Sequence, residues 1–141
     1  MDEDINLITK GPFERSNEYA SSIMDGISNN NSVVVYGNVM NDGLIENLPS
    51  SCCVEVPCII DSKGFHPQKV GKIPEHLAAL MRTNVNVQIL TAEAALTKKR
   101  EHIYHAAMLD PLTSSNLSID EIYKMTDELI KAHGNYLPNY N

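Results

Sequence analysis

The sequence predicts an α+β domain, a small antiparallel sheet packed by helices, on three observations. A helical period near the amino end gives way to two runs rich in β-branched residues. Helical periods then fill the second half. No strand is followed by a glycine-rich helix start, which a parallel nucleotide-binding unit would need. With 141 residues the chain fits one domain. A chain of that size buries roughly 68% of its unfolded surface, enough for a core without disulfide or metal staples.

Residues 1–12 lack apolar periodicity and end in Gly11-Pro12, so they read as a loose lead-in. From Ser16 onward Tyr19, Ile23 and Ile27 recur four apart, with Ala20 and Met24 beside them, and predict a helix with one apolar face. Asn29-Asn30-Asn31 ends it. Residues 32–39, SVVVYGNV, predict a strand, and Asn41-Asp42-Gly43 a turn, because these residue types tolerate positive φ. Leu44, Ile45 and Leu48 follow, closed by Pro49.

Residues 51–60, SCCVEVPCII, predict a second strand. Alternation puts Cys52, Val54, Val56, Cys58 and Ile60 on one face, and Cys53, Glu55, Pro57 and Ile59 on the other. Pro57 cannot donate to a ladder, which places it on an edge or at a bulge. After a turn at Asp61-Ser62-Lys63-Gly64, a third short strand is expected around residues 68–70.

Pro74 suits the first position of a helix, where its missing N–H is no loss. Leu77, Met81, Val85, Ile89, Ala92 and Leu96 continue that helix at spacings of three and four. The polar run 97–101 interrupts it. A further helix carries Ile103, Ala107 and Met108 and stops at Asp110-Pro111, since proline disfavours helix in the residue before it. The last helix is the clearest element. Ser118 and Glu121 form a capping box, Ile119, Ile122, Met125 and Leu129 a stripe, and His133-Gly134 the stop.

Hydrophobic residues make up 43% of the chain and charged residues 21%, ordinary globular values that exclude disorder of the whole. The net charge of -7 argues against nucleic acid, because the densest basic run is only Lys98-Lys99-Arg100. No run of 18 apolar residues exists, so no transmembrane helix is expected. The acidic start Met1-Asp2-Glu3-Asp4 is unlike a signal peptide. Three cysteines make a poor disulfide framework and suit a reducing, cytoplasmic compartment.

The candidate chemistry is sparse. Cys52 and Cys53 point to opposite faces of a strand, and Cys52 and Cys58 lie about 20 Å apart along it, so they cannot share one zinc. Small buried hydrophobes describe them better. His102 and His105 have helical spacing for one metal but no third ligand at a supporting distance. His76 and His133 sit at helix ends and need no special role, whereas His66 lies in a loop, where function concentrates. Glu55, a carboxylate inside an apolar strand, must reach solvent, an intersubunit partner or a site wall. Asn38, Asn41 and Asn47 serve turn chemistry or offer amides to sugar hydroxyls. The residues alone give a soluble domain with no self-contained catalytic set.

The stretch from Gly37 to Ile60, GNVMNDGLIENLPSSCCVEVPCII, resembles the carboxy-terminal domain of family 4 glycoside hydrolases, whose pattern reads N-x-G-x-I-x-N-L-P and then V-E-V-P. The double cysteine before Val54, and Cys58 after Pro57, resemble the α-galactosidase (melibiase) branch. The likeness continues through Gly64, Pro67, Val70-Gly71, Leu77-Ala78-Ala79-Leu80, Asn86-Val87-Gln88 and His105 to Pro111. It covers residues 13–138, leaving 139–141 as a tail.

The resemblance implies a fold like the second half of lactate and malate dehydrogenases. It also implies an enzyme that hydrolyses glycosides with NAD and a divalent metal, usually manganese. The family oxidises the sugar at C3, removes the C2 proton, eliminates the aglycone, adds water and reduces the ketone again. The family's NAD-binding Rossmann half, metal ligands and base belong to segments that would precede Met1, so no catalytic residue carries over. This chain is therefore expected to bind neither NAD nor Mn2+ itself and to be inert alone. Its expected partners are a Rossmann half or further copies of itself, with an α-galactoside bound only in the intact enzyme. Asn38 and Asn41 are the expected positions near the sugar. A stand-alone interaction module that has lost the chemistry is the alternative. Either way, exposed apolar surface is expected.

Overall fold

The computed structural model describes residues 17–141, so the expected lead-in over 1–12 lies outside the described residues. The element order is α1 (Ala20–Asn29), β1 (Val33–Met40), β2 (Cys53–Asp61), β3 (Gly64–Pro67), α2 (Glu75–Thr97), α3 (Arg100–Leu109), α4 (Pro111–Asn116) and α5 (Ile119–His133), with a final 3-10 turn at Gly134–Tyr136. The strands form one three-stranded sheet in the order β1-β2-β3. The predicted α+β class is what forms. Among the described residues no helix is long and apolar enough to cross a membrane.

Two compact units share the chain. The first holds α1, the start of β1 and the hairpin Pro57–His66. Here α1 differs from the sequence reading, since Tyr19, Met24 and Ile27 are 45%, 63% and 48% exposed. The helix buries Gly26 instead. A Cβ there would meet the backbone oxygens of Asn31 and Ile60 at 3.3 Å each, so the missing side chain is what lets helix and strand backbones approach. The asparagine run ends the helix as expected. Asn30 takes left-handed φ, and its Oδ1 accepts from the Ser62 N–H at 3.2 Å and from the Ser62 hydroxyl at 2.7 Å.

The third strand forms at Gly64–Pro67 and not at 68–70. The turn at Ser62-Lys63 is two residues long, so the chain reverses at once, and Pro67 then ends a ladder it cannot extend. β2 is thus the middle strand, which overturns the edge placement of Pro57. The Asn41 N–H donates to the Cys52 carbonyl at 2.9 Å, and this register turns the odd-numbered positions of β2 away from β1. The absent N–H of Pro57 therefore faces the β3 side, where the four-residue strand is too short to reach it. The alternation itself holds. Cys52, Val54, Val56, Cys58 and Ile60 are all buried, while Cys53 and Glu55 are exposed.

The second unit holds Gly37–Val56 and Pro67–Asn141. In it α3 packs on α2, α4 and α5. Pro74 is the cap before α2 and not its first helical residue. Of the long stripe expected on α2 only Val85 is buried, while Leu77, Met81 and Leu96 are 40%, 45% and 83% exposed, and the helix buries Ala78 and Ala94 instead. The stop at Asp110 is real, but Pro111 immediately starts α4, because the Asp110 carboxylate accepts from the Thr113 N–H at 2.7 Å and caps it. That backbone bond comes first among the causes holding the Asp110 carboxyl below its ordinary pKa. The capping box of α5 forms as predicted. Ile122 is buried in its stripe, whereas Ile119 and Leu129 stay more than half exposed.

Candidate functional site

The motif-rich loop 41–49 is organised by Asn41, which is completely buried. Its Oδ1 accepts the Ile45 N–H at 2.7 Å, and its Nδ2 is shared among the carbonyls of Ile45, Leu48 and Pro49 at 2.9, 3.1 and 3.0 Å. A closed loop of backbone carbonyls needs such a donor, and an amide offers two donor hydrogens beside an acceptor from one short side chain, where a hydroxyl offers one. Asn47 ties the same loop to the start of α2. It accepts from the Ile73 N–H at 3.1 Å, donates to the Ile73 carbonyl at 2.8 Å, and reaches Glu75 Oε1 at 3.3 Å. Arg82 returns from α2 to the Asn47 carbonyl at 2.9 Å.

The segment around Gly71 completes the frame. The N–H groups of Val70 and Gly71 both donate to the Leu44 carbonyl, and Ile45 and Gly71 form a parallel bridge. Lys69 pairs with Glu46 at 2.8 Å, and its ammonium holds the exposed Glu46 carboxyl below the ordinary carboxylate range.

Between this loop, β2 and α2 lies a cleft of about 310 Å3. Ile45, Leu48, Val54 and Val85 form its apolar floor, with Met81 on the helix side. Cys53 and Glu55 from β2 face Asn84 and Gln88 from α2 across it. A smaller depression of about 170 Å3 shares Cys53, Val85 and Gln88 and continues along α2 to Ile89 and Ala92. A carboxylate, a thiol and two amides over apolar walls can hydrogen-bond a polar ligand and pack its apolar side. They contain no paired nucleophile and base, so the chemistry on offer is binding.

The structure separates the two asparagines singled out from sequence. Asn38 is exposed on β1, and the strand register sets it opposite Glu55, though it does not line the cleft. Asn41 lies beneath the loop with its amide committed to the backbone. Sequence reasoning missed Asn84 and Gln88. Their signal was legible as two amides four apart on a largely apolar helix, which places them on one face.

The other candidates stay apart. All three cysteines are free, and burial pushes the Cys52 thiol up in pKa. His66 Nε2 lies 3.0 Å from Asp61 Oδ1, and this bond leads the causes that lower the Asp61 carboxyl. His102 meets Thr97 at 3.3 Å, and His133 bonds the Leu129 carbonyl at 2.7 Å. Among the described residues no three His, Cys, Asp or Glu side chains converge on a point fit for a metal ion. Nor does any described strand pass through a glycine-rich turn into a helix.

Comparison with known proteins places the architecture. Residues 2–113 match the family 4 glycosyl hydrolase C-terminal domain. An α-galactosidase of Bacillus subtilis is 52% identical over 140 residues, 99% of this chain and 32% of that protein. An α-galactosidase of Rhizobium meliloti is 33% identical over 128 residues, 91% of this chain and 26% of the relative. Maltose-6′-phosphate glucosidase MalH of Clostridium acetobutylicum is 36% identical over 139 residues, 96% of this chain and 31% of the relative. This chain thus spans between 26% and 32% of the length of these curated relatives.

Among solved structures, a 6-phospho-α-glucosidase from gut microorganisms, in complex with NAD and Mn2+, superposes with a TM-score of 0.76 at 21% identity, covering 99% of this chain and 32% of that one. A 6-phospho-β-glucosidase from Thermotoga maritima, with NAD and glucose-6-phosphate, superposes with a TM-score of 0.69 at 22% identity, covering 87% of this chain and 30% of that one. At these identities the likeness is one of fold.

Proposed function

This chain belongs to the family 4 glycosyl hydrolases, as their C-terminal domain, and from that premise we propose that it forms the carboxy-terminal part of an NAD- and Mn2+-dependent α-galactosidase. The observation that carries the proposal is the 52% identity over 140 residues to the α-galactosidase of Bacillus subtilis. In this reading a Rossmann partner half would hold both the nucleotide and the metal. This chain's contribution is a binding wall and an interface. Its three free cysteines suit a cytoplasmic enzyme.

In this reading Glu55, with Asn84 and Gln88, lines the wall that a galactoside approaches. Paired carboxylate and amide groups suit vicinal hydroxyls, since each supplies acceptors or donors in one plane. Asn38 adds an amide on the same sheet face. Asn41 serves the site indirectly, by fixing the loop that carries Ile45 and Leu48.

The test is reconstitution. The purified chain, given NAD, Mn2+, a thiol and a chromogenic α-galactoside, is expected to show no turnover. Turnover is expected once the amino-terminal two-thirds of the Bacillus subtilis relative is added as a separate polypeptide. Hydrolysis by the chain alone, or a mixture that neither associates nor turns over, would overturn the proposal.

A second reading, an interaction module without chemistry, draws on the exposed apolar side chains. Met40, Leu80, Leu96 and Leu112 are 68%, 65%, 83% and 75% exposed. Such surface favours association. Light scattering separates the readings, because a module predicts a stable homo-oligomer of the chain by itself.

A further inference from the structure

We infer that the helical end of the chain carries a binding site for a small amphiphile, an apolar ring or short chain with a single hydroxyl, in the cleft where α2, α3, α5 and the carboxy-terminal tail meet. The cleft encloses about 290 Å3, walled by Ile103, Leu129, Ile130 and Leu137. Its tail side is fixed. The Asn141 N–H donates to the Lys98 carbonyl at 2.8 Å, and the Arg100 N–H to the Asn141 carbonyl at 2.9 Å, which holds the segment bearing Leu137 and Tyr140. The cleft opens to the surface, and its volume approaches that of ordinary ligand pockets.

One polar group gives the cleft its chemistry. Thr126 lines it, is only 4% exposed, and carries the one buried side-chain oxygen or nitrogen without a hydrogen-bond partner among the described residues. Thr91, on the same wall, has given its hydroxyl to the Val87 carbonyl at 2.8 Å. An orphaned hydroxyl is costly, and a threonine on a helix has two χ1 wells, so a modest turn brings it to an incoming partner. At the rim, the His133 Nδ1–H donates to the Leu129 carbonyl at 2.7 Å. A sugar would bury several hydroxyls against apolar walls and is excluded, as is an ion. One hydroxyl on an apolar body matches what is present.

The test uses the full chain with methyl-labelled Ile and Leu, titrated with p-cresol and with toluene. We expect p-cresol to shift the methyl resonances of Ile103, Leu129, Ile130 and Leu137, and to bind about fivefold more tightly than toluene. Thr126→Val removes the hydroxyl at nearly constant shape and should erase that preference without lowering Tm. Ala107→Leu fills the cleft and should abolish binding of both probes, and if it does not fold, Thr126→Val still decides the matter. Absence of shifts at these methyls up to the probe's solubility would overturn the inference, as would a preference that survives Thr126→Val. A dimer in light scattering, with the methyls already protected before any probe is added, would overturn it in favour of a second copy.

Discussion

Asn41 and Ile45 exchange two hydrogen bonds across a single turn, Ile45 N–H to Asn41 Oδ1 at 2.7 Å and Asn41 Nδ2 to the Ile45 carbonyl at 2.9 Å. The same amide also serves Leu48 and Pro49. Asn41→Ala leaves these loop groups without their partner in a place water does not reach. Stability is expected to fall by about 3 kcal/mol, since each orphaned buried group costs about 1–3 kcal/mol and the loop relaxes partly. Asn41→Asp should be worse at neutral pH, because a carboxylate cannot donate to three carbonyls. Thermal unfolding of the two variants checks both statements, and an unchanged Tm for Asn41→Ala would refute the structural role.

Gly26 offers a test of opposite logic. On a solvent-facing helix Gly→Ala stabilises by about 1 kcal/mol through the unfolded chain. Here the new Cβ meets two backbone oxygens at 3.3 Å, and backbone cannot swing aside as a side chain can. Gly26→Ala is therefore expected to destabilise by about 1 kcal/mol net, because overpacking outweighs the propensity gain. Urea unfolding that shows a higher midpoint would reverse the argument.

These two positions also show what the sequence could convey. Period-two alternation over 52–60 placed the core residues correctly, because a strand with one buried face leaves a pattern no other element makes. The capping box of α5 was equally legible, being a local contact. Gly26 was not. An apolar stripe was visible on α1, but the approach of Ile60, more than thirty residues on, decided which side is buried. Pro57 misled for a related reason, since its tolerance depends on β3 being short. Of the candidate site, Glu55 was legible as a polar interruption, while Asn84 and Gln88 became meaningful only once α2 lay across β2.

A cluster on α3 and α5 sets an acid limit. Asp127 accepts from the Tyr104 hydroxyl and from Arg100 Nη2 at 2.6 Å, and the tyrosine bond leads in holding its carboxyl below the ordinary value. A carboxyl whose pKa is lowered on folding adds stability above its unfolded pKa and loses it as pH falls through the folded one. Asp127→Asn is thus expected to cost stability at pH 7 but little once the pH has fallen through the lowered folded-state value, so that the two proteins converge on acidification. Parallel denaturation curves across that range would show that the cluster is not coupled to folding.

Ser118 caps α5 through the Glu121 N–H at 3.4 Å, and Glu121 replies to the Ser118 N–H at 2.8 Å. Ser118→Ala is expected to cost about 1 kcal/mol, the usual loss for an N-cap. Gly at the same position should cost only a few tenths, because it still permits the cap's extended backbone. An unchanged stability for Ser118→Ala would mean that the side-chain bonds contribute nothing.

Glu55 tests the binding wall itself. It is exposed, and no ion pair engages it among the described residues, so Glu55→Gln should leave stability within about 0.5 kcal/mol. In the reconstituted enzyme the substitution keeps the size and one acceptor but removes the charge that strengthens bonds to hydroxyls. A group that binds sugar alike in the ground and transition states raises KM when lost and leaves kcat in place. The expected result is therefore about a tenfold rise in KM for the α-galactoside at constant kcat, the loss of one charge-assisted hydrogen bond. An unchanged KM would move the sugar away from this cleft, while a fall in kcat alone would make Glu55 part of the reacting centre.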